Sequence, residues 1–200
     1  MSNTASSPVI DTRNVDELAA RVIKLEAELK SLEAFRELAY RDPLTGLRNR
    51  RYFEIRLKEE INRVERGSQK RFSVIMADLN DLKMINDQYG HQAGDRALCI
   101  IACSFEKHLR VQDVCCRYGG DEFVLLLPDT GIEGREVLAE RILAKQKREP
   151  APLPFPVMAS LGGVTWPHAG LRVEDVIQYA DQSMYQAKRR MKRALLARGK

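Results

Sequence analysis

Along the chain, apolar residues first recur at Val15, Leu18, Val22, Leu25, Leu29 and Leu32, with lysine, arginine and glutamate between them. This 3-4-3-4-3 spacing is a coiled-coil seam, a narrow stripe on one helix. It stops at Arg36, where the next apolar position falls due, after roughly two and a half heptads. Two readings fit: half of a parallel two-helix stalk, or one amphipathic helix lying on its own domain. Charged positions on both flanks favour the stalk, because they leave solvent on either side of the seam. Residues 1–14 ahead of it are small and polar, the composition of a disordered tail. Behind it, Arg41-Asp42-Pro43-Leu44-Thr45-Gly46 carries the proline and glycine of a turn and predicts a short hinge.

Beyond the hinge the pattern alternates between helical and strand-like stretches. Residues 48–66 read as a helix stopped by Gly67-Ser68, and 72–79 as a buried strand. A helix over 93–109 follows, then two strands, 114–118 and 122–127, around Gly119-Gly120. Next come a helix over 131–147, a proline-rich loop over 149–156, a strand over 157–165 and a helix over 173–190. Interleaved helices and strands with one tight hairpin predict an α/β (α+β) fold. The four strands form a mixed sheet flanked by helices, behind an N-terminal coiled-coil helix. The expected boundaries are a tail to 14, a dimerisation helix over 15–40, a globular domain over 41–192 and a basic tail over 193–200.

Two hundred residues, 44% apolar and 30% charged, suit one sizeable core rather than two. No run approaches the roughly 18 apolar residues of a membrane span, and the N-terminus lacks a secretory pattern. A soluble, cytoplasmic protein without a membrane partner is therefore expected. The net charge of +5 suggests nucleic acid until it is located. Seven basic residues and no acidic one lie in 188–200, so the rest of the chain is slightly negative and a nucleic-acid surface is not supported. Cys99 and Cys103 share a helix face, which permits a metal but fits core packing better. Cys115-Cys116 reads as strand, with side chains to opposite faces.

The segment Arg117-Tyr118-Gly119-Gly120-Asp121-Glu122-Phe123 departs from an ordinary hairpin, since two carboxylates follow the glycines at once. Glycine at both turn positions allows positive φ and leaves bare backbone for a ligand; a plain type I′ hairpin with an acidic tip is the alternative. A second acidic strand end lies at Val74-Ile75-Met76-Ala77-Asp78-Leu79-Asn80, followed by Lys83, Asn86-Asp87, Gly90-His91 and Gly94-Asp95. A charge ending an apolar strand needs a partner. Hard oxygens from two neighbouring strand ends suit Mg²⁺, the arrangement used for in-line displacement at phosphorus. Loop lysines and bare amides would then meet the phosphates.

At this point the chain resembles the GGDEF diguanylate cyclases over residues 42–192. The shared segments are Asp42-Pro43-Leu44-Thr45-Gly46-Leu47 with Asn49-Arg50-Arg51, the stretch from Asp78 to Asp95, and Gly119 to Phe123. Further on come Leu127-Pro128-Asp129-Thr130, Ser160-Leu161-Gly162, Ala180-Asp181 and Tyr185-Gln186-Ala187-Lys188. The resemblance implies a palm-like mixed sheet of about five strands flanked by helices, and condensation of two GTP into cyclic di-GMP and two pyrophosphates. It implies Asp78, the Leu79 carbonyl, Asp121 and Glu122 around two Mg²⁺ (or Mn²⁺) ions per half-site. Asp121 would also accept the proton of the attacking 3′-hydroxyl, and Lys83 would stabilise phosphate charge. Asn86 and Asp95, with His91 nearby, would read guanine, as an amide and a carboxylate can. Gly119, Gly120, Lys188 and Lys192 would meet the triphosphate. Arg110 and Asp113, in an RxxD pattern, with Arg141 would bind product as inhibitor, although a surface salt bridge is the plainer reading of RxxD. One domain holds one GTP, so the reaction needs a homodimer, which the seam would supply.

The chain departs from the family pattern at four places. Asn80 stands where a second aspartate is common and should alter metal affinity. Leu82 replaces a frequent aromatic residue and should loosen guanine packing. Met191-Lys192 replaces Gly-Arg, and Gly163 should weaken its strand. Competing functions are a non-catalytic cyclic di-GMP sensor, another nucleotide cyclase on the same scaffold, and a coiled-coil or RNA-binding protein. Retention of Asp121 and Glu122 argues against the first, and the last explains no residue between Asp78 and Phe123.

Overall fold

The apolar run at 72–79 is a strand with every residue buried, because it lies inside a sheet that carries helices on both faces. The computed structural model describes residues 12–148, 152–168 and 170–198. In chain order the elements are α1 (Thr12–Ala39), β1 (Arg48–Asn49), α2 (Arg50–Glu65), β2 (Phe72–Leu79), α3 (Leu82–Tyr89) and α4 (His91–Glu106). They continue with β3 (Val114–Arg117), β4 (Glu122–Pro128), α5 (Ile132–Arg148), β5 (Ala159–Trp166) and α6 (Val176–Arg198). The sheet order is β1-β3-β4-β2-β5, with β1 parallel to β3 and every other neighbour antiparallel. The sheet is thus mixed, as the pattern predicts, and β1 adds a fifth strand to the four that the pattern shows.

Strand periodicity sorts the core into two layers. Ile75, Ala77, Leu79, Phe123 and Leu125 face one way, against Ile85 of α3, Ala97, Ile101 and Phe105 of α4, and Ile142 of α5. Val74, Met76, Val124 and Leu126 face the other way, against Phe53 of α2 and Val176, Ala180 and Met184 of α6. Cys115 joins the first layer and Cys116 the second, so that pair does point to opposite faces.

The chain divides into two compact units between Ala39 and Tyr40. The first contains α1, whose residues are exposed from 14 to 39. Its seam residues, Val15 to Leu32, are 51–65% exposed. The helix begins at Thr12, so the last part of the expected tail is helical; residues 1–11 lie outside those described.

Other differences from the sequence pattern have local causes. β1 is two residues long and forms only because Arg48 and Asn49 pair with Cys116 and Arg117; no periodicity can signal so short a strand. α2 then starts at Arg50, where the Asn49 side chain accepts from the Tyr52 N–H. α6 continues to Arg198, past the expected end at 190, through residues rich in Ala, Leu, Lys and Arg, which are strong helix formers. The helical part of the supposed basic tail is therefore one with the triphosphate-matching segment, and residues 149–151 of the expected loop lie outside those described. Gly163 does not mark a weak strand. A Cβ there would stand 2.4 Å from the Val74 carbonyl oxygen, and one on Gly162 2.0 Å from the Met184 nitrogen. The two glycines let β2 and α6 close directly onto β5.

Candidate active site

β2 and β4 end together. Asp78, next to last in β2, is the direct antiparallel partner of Glu122, the first residue of β4, and on its other side faces Ser160 of β5. Alternation along the strands puts Asp78 on the α6 face, where Lys188 of α6 forms an ion pair with its Oδ1. Asp121 joins them through the backbone, since the Leu79 N–H donates to its carbonyl at 2.9 Å. The two acidic chain segments, separate in sequence, therefore converge at one end of the sheet.

The convergence is electrostatically costly. Burial pushes the Asp78 carboxyl above its ordinary value and the charge of Asp121 adds to this, while Lys188 and, more weakly, Lys192 oppose it. Burial also raises Glu122, reinforced by Asp121, Asp181 and Asp78 and opposed by Arg50. Crowded carboxylates on fixed strands are a place where a cation lowers the energy. Among the described residues no three His, Cys, Asp or Glu side chains are gathered into a ready-made cage. Two strand-end carboxylates, an adjoining acid and the Leu79 carbonyl fit an ion of the magnesium type, which keeps water and takes its remaining oxygens from phosphates.

The signature loop differs from the expected hairpin. Neither Gly119 nor Gly120 adopts positive φ, which removes the plain type I′ hairpin given above as the alternative. Four residues, 118–121, separate β3 from β4, and the N–H groups of Tyr118 (2.8 Å) and Gly119 (3.2 Å) both donate to the Glu122 carbonyl. Gly119 lies against the Glu122 side chain: a Cβ there would stand 2.6 Å from Glu122 Oε2, so the carboxylate would have to turn aside. A Cβ on Gly120 would meet nothing, which leaves that backbone open.

A cleft of about 610 Å³ opens beside the acids, lined by Leu79, Lys83, Asp121, Lys188 and Lys192, and by Asp81. Lys83 reaches it from α3, an element that the sequence reading passed over although Leu82, Ile85 and Tyr89 have helical spacing. Asp81, also missed, sits at the head of α3 in the left-handed region (φ 59°). Asn86, His91 and Asp95 do not line this cleft; they belong to α3 and α4 beside it, with His91 and Asp95 exposed. The Asn86 Oδ1 is buried without a hydrogen-bond partner, and a Cβ on Gly94 would fall 1.9 Å from it. Gly94 thus makes room for the amide. Leu82 packs against the core, and Asn80 turns its Oδ1 to the Ser160 hydroxyl at 2.8 Å.

The second predicted cluster is separate. Asp113 closes the turn after α4, where its Oδ2 accepts from the Arg110 N–H at 2.8 Å. Arg141 of α5 donates to the His108 carbonyl at 2.7 Å, and both guanidinium groups act on the Asp113 carboxyl, which burial raises. Arg110 and Asp113 line a cleft of about 390 Å³ together with Arg48 and Tyr52, and the Arg48 guanidinium lies 4.4 Å from the Tyr52 ring centre.

Comparison with known proteins agrees with this geometry. The family model described as diguanylate cyclase, GGDEF domain, matches residues 39–194. Diguanylate cyclase DgcP of Pseudomonas aeruginosa is 39% identical over 181 residues, 86% of this chain but 26% of the relative. Response regulator PleD of Caulobacter vibrioides is 35% identical over 185 residues, 86% of this chain and 40% of the relative. The chain therefore spans less than half the length of these relatives. Among solved structures, diguanylate cyclase SiaD of Pseudomonas aeruginosa, in complex with its activator SiaC, superposes with a TM-score of 0.73 at 34% identity, covering 89% of this chain and 69% of that one.

Proposed function

Since this chain belongs to the GGDEF family of diguanylate cyclases, we propose that it condenses two GTP molecules into cyclic di-GMP with release of two pyrophosphates. The observation that carries the reading is the side-by-side register of Asp78 and Glu122, with Asp121 bonded to Leu79 and Lys188 facing them.

Asp78, the Leu79 carbonyl, Asp121 and Glu122 would hold two divalent ions, Mg²⁺ or Mn²⁺, per half-site. Bound there, the ions supply charge neutralisation and polarise the α-phosphate. Asp121 takes the proton of the 3′-hydroxyl of one GTP as that oxygen forms a bond to the α-phosphorus of another, and the bond to pyrophosphate breaks. The same exchange at the second phosphate closes the ring. Lys83 faces the developing phosphate charge, while Lys188 and Lys192 hold the triphosphate from α6 and the bare backbone at Gly119 and Gly120 lets it approach. Asn86 and Asp95, with His91 at the head of α4, read guanine. The buried, unpartnered Asn86 Oδ1 supports this role, because such an acceptor discriminates strongly in favour of a donor-bearing base edge.

Each domain contributes one nucleotide, so two copies must face each other. The exposed seam of α1 supports a parallel homodimer in which a helix pair raises the effective concentration of one half-site beside the other. Arg110, Asp113 and Arg141 bind cyclic di-GMP as a feedback inhibitor, the planar guanidinium forks suiting phosphate and guanine edges. Incubation with GTP and Mg²⁺, followed by chromatography for cyclic di-GMP, tests the reading. Product is expected from the wild-type chain and not from Asp121→Asn; ATP consumed in preference to GTP would refute it.

A further inference from the structure

Arg117 immediately precedes the signature loop, and nothing in the chemistry above uses it. Its guanidinium joins two distant parts of the chain. Nη1 donates to both carboxylate oxygens of Asp42, at 3.2 Å each. Nε and Nη2 donate to the Gly120 carbonyl at 3.2 and 2.7 Å. Asp42 is itself fixed: its Oδ1 accepts from the N–H and hydroxyl of Thr45, at 2.8 and 2.7 Å, and its backbone N–H donates to the Leu47 carbonyl at 2.8 Å. The Arg117 and Asp42 side chains are 17% and 16% exposed, so this is not a screened surface pair.

The loop has few other restraints on that side. Gly120 has no side chain to pack, and the two amide bonds to the Glu122 carbonyl come from Tyr118 and Gly119, ahead of it. Asp121 follows Gly120 directly. The Leu79 N–H fixes its carbonyl at 2.9 Å, so the freedom left to its carboxylate lies on the Gly120 side, where Arg117 holds the peptide. A planar fork can serve a carboxylate and a carbonyl at once, whereas the lysine ammonium is a point charge on a flexible stem.

We propose that Arg117 is a positioning residue that clamps the Gly120 carbonyl to the Asp42 turn and so aims Asp121. The inference rests on the cyclase reading and adds a consequence to it. Asp42 comes three residues after Ala39, the last residue of α1, so support of the site begins where the helix hands over to the domain.

The test compares the full chain with Arg117→Ala, Arg117→Lys, Asp42→Asn and the Arg117→Ala/Asp42→Asn double variant. Steady-state turnover of GTP with Mg²⁺ is measured beside amide hydrogen exchange of the segment 117–123. Misplacement of a reacting group by about 1 Å costs on the order of 100-fold. A kcat loss of that order is expected in Arg117→Ala, with KM for GTP within about threefold of wild type and faster exchange at Tyr118 and Gly119. Arg117→Lys should restore little of the rate. Asp42→Asn should lose less, and the double variant should be no worse than Arg117→Ala, because the two residues act as one unit. Unchanged kcat and exchange in Arg117→Ala, or a raised KM at unchanged kcat, would overturn the proposal. Should Arg117→Ala fail to fold, Arg117→Lys, which keeps the charge, decides by the same criteria. If the wild-type chain makes no cyclic di-GMP, the cyclase reading fails, and the exchange measurement alone decides the clamp.

Discussion

The strand ends that carry Asp78 and Glu122 and the seam of α1 are opposite kinds of region. At the strand ends charged groups are forced together inside a self-sufficient fold: the site is dear in electrostatic terms, and two packed layers offset it. Along α1 the apolar seam residues are exposed, and none of the described residues covers them. The first region is complete in stability but incomplete in charge, and a cation with nucleotide phosphates would complete it. The second is complete in charge but incomplete in burial, and a second helix would complete it. Each deficit names the chemistry of what is missing.

The comparison breaks most visibly at the acids. Asp121→Asn should lower GTP turnover by about 10³-fold or more. Its thermal unfolding without divalent ions should occur at the wild-type temperature or higher, because one repelling charge is gone from the cluster that raises Asp78 and Glu122. A folded, fully active variant would show that the crowding serves no chemistry.

At the other region, a chain beginning at Arg36 should lose roughly 10- to 100-fold of its activity per domain at nanomolar concentration and regain it as concentration rises. Specific activity measured across protein concentration checks this, and equal activity at every dilution would remove the stalk from the account. Arg110→Ala sharpens the contrast by touching neither region. It should raise the cyclic di-GMP needed for half-inhibition about tenfold or more, since charge-assisted bonds contribute roughly 1.5–3 kcal/mol; an unchanged inhibition curve would exclude that cluster as the product site.

The smallest effect is on stability. Burial alone would raise the Asp42 carboxyl, but bonds from Thr45 and Arg117 outweigh it and hold the group below its ordinary 3.8. A lowered carboxyl stabilises the fold above its unfolded-state value and loses that contribution as pH falls through the folded-state value. Asp42→Asn should therefore cost about 1–2 kcal/mol at neutral pH, and its denaturation curve should draw toward that of wild type as pH falls below the ordinary carboxyl value of 3.8.

What the sequence disclosed follows from the range of the interactions involved. The apolar run at 72–79 and the seam from Val15 are local patterns, and both elements are where the pattern places them. Two acidic strand ends are legible in the sequence, yet the pairing of Asp78 with Glu122 comes from a long-range register that no single segment contains. α3 is only eight residues long, about two turns, too short for its apolar spacing at Leu82, Ile85 and Tyr89 to stand out beside the polar residues between them. The glycines of the signature permit positive φ but do not use it, and the close approach of Gly119 to the Glu122 carboxylate is visible only once the loop is folded. Arg117 and Asp42, 75 positions apart, meet only because β1 brings the post-helix turn alongside β3, and a two-residue strand leaves no periodic trace.

The central claim is that Asp78 and Asp121 share bound divalent metal over a nucleotide's phosphates. Manganese binding, followed by electron paramagnetic resonance with a non-hydrolysable GTP analogue present, tests it most directly. Wild-type protein should bind two ions per domain, and Asp78→Asn and Asp121→Asn should each bind fewer, with at least a tenfold loss of affinity (about 1.4 kcal/mol). Equal binding by all three proteins would contradict the account.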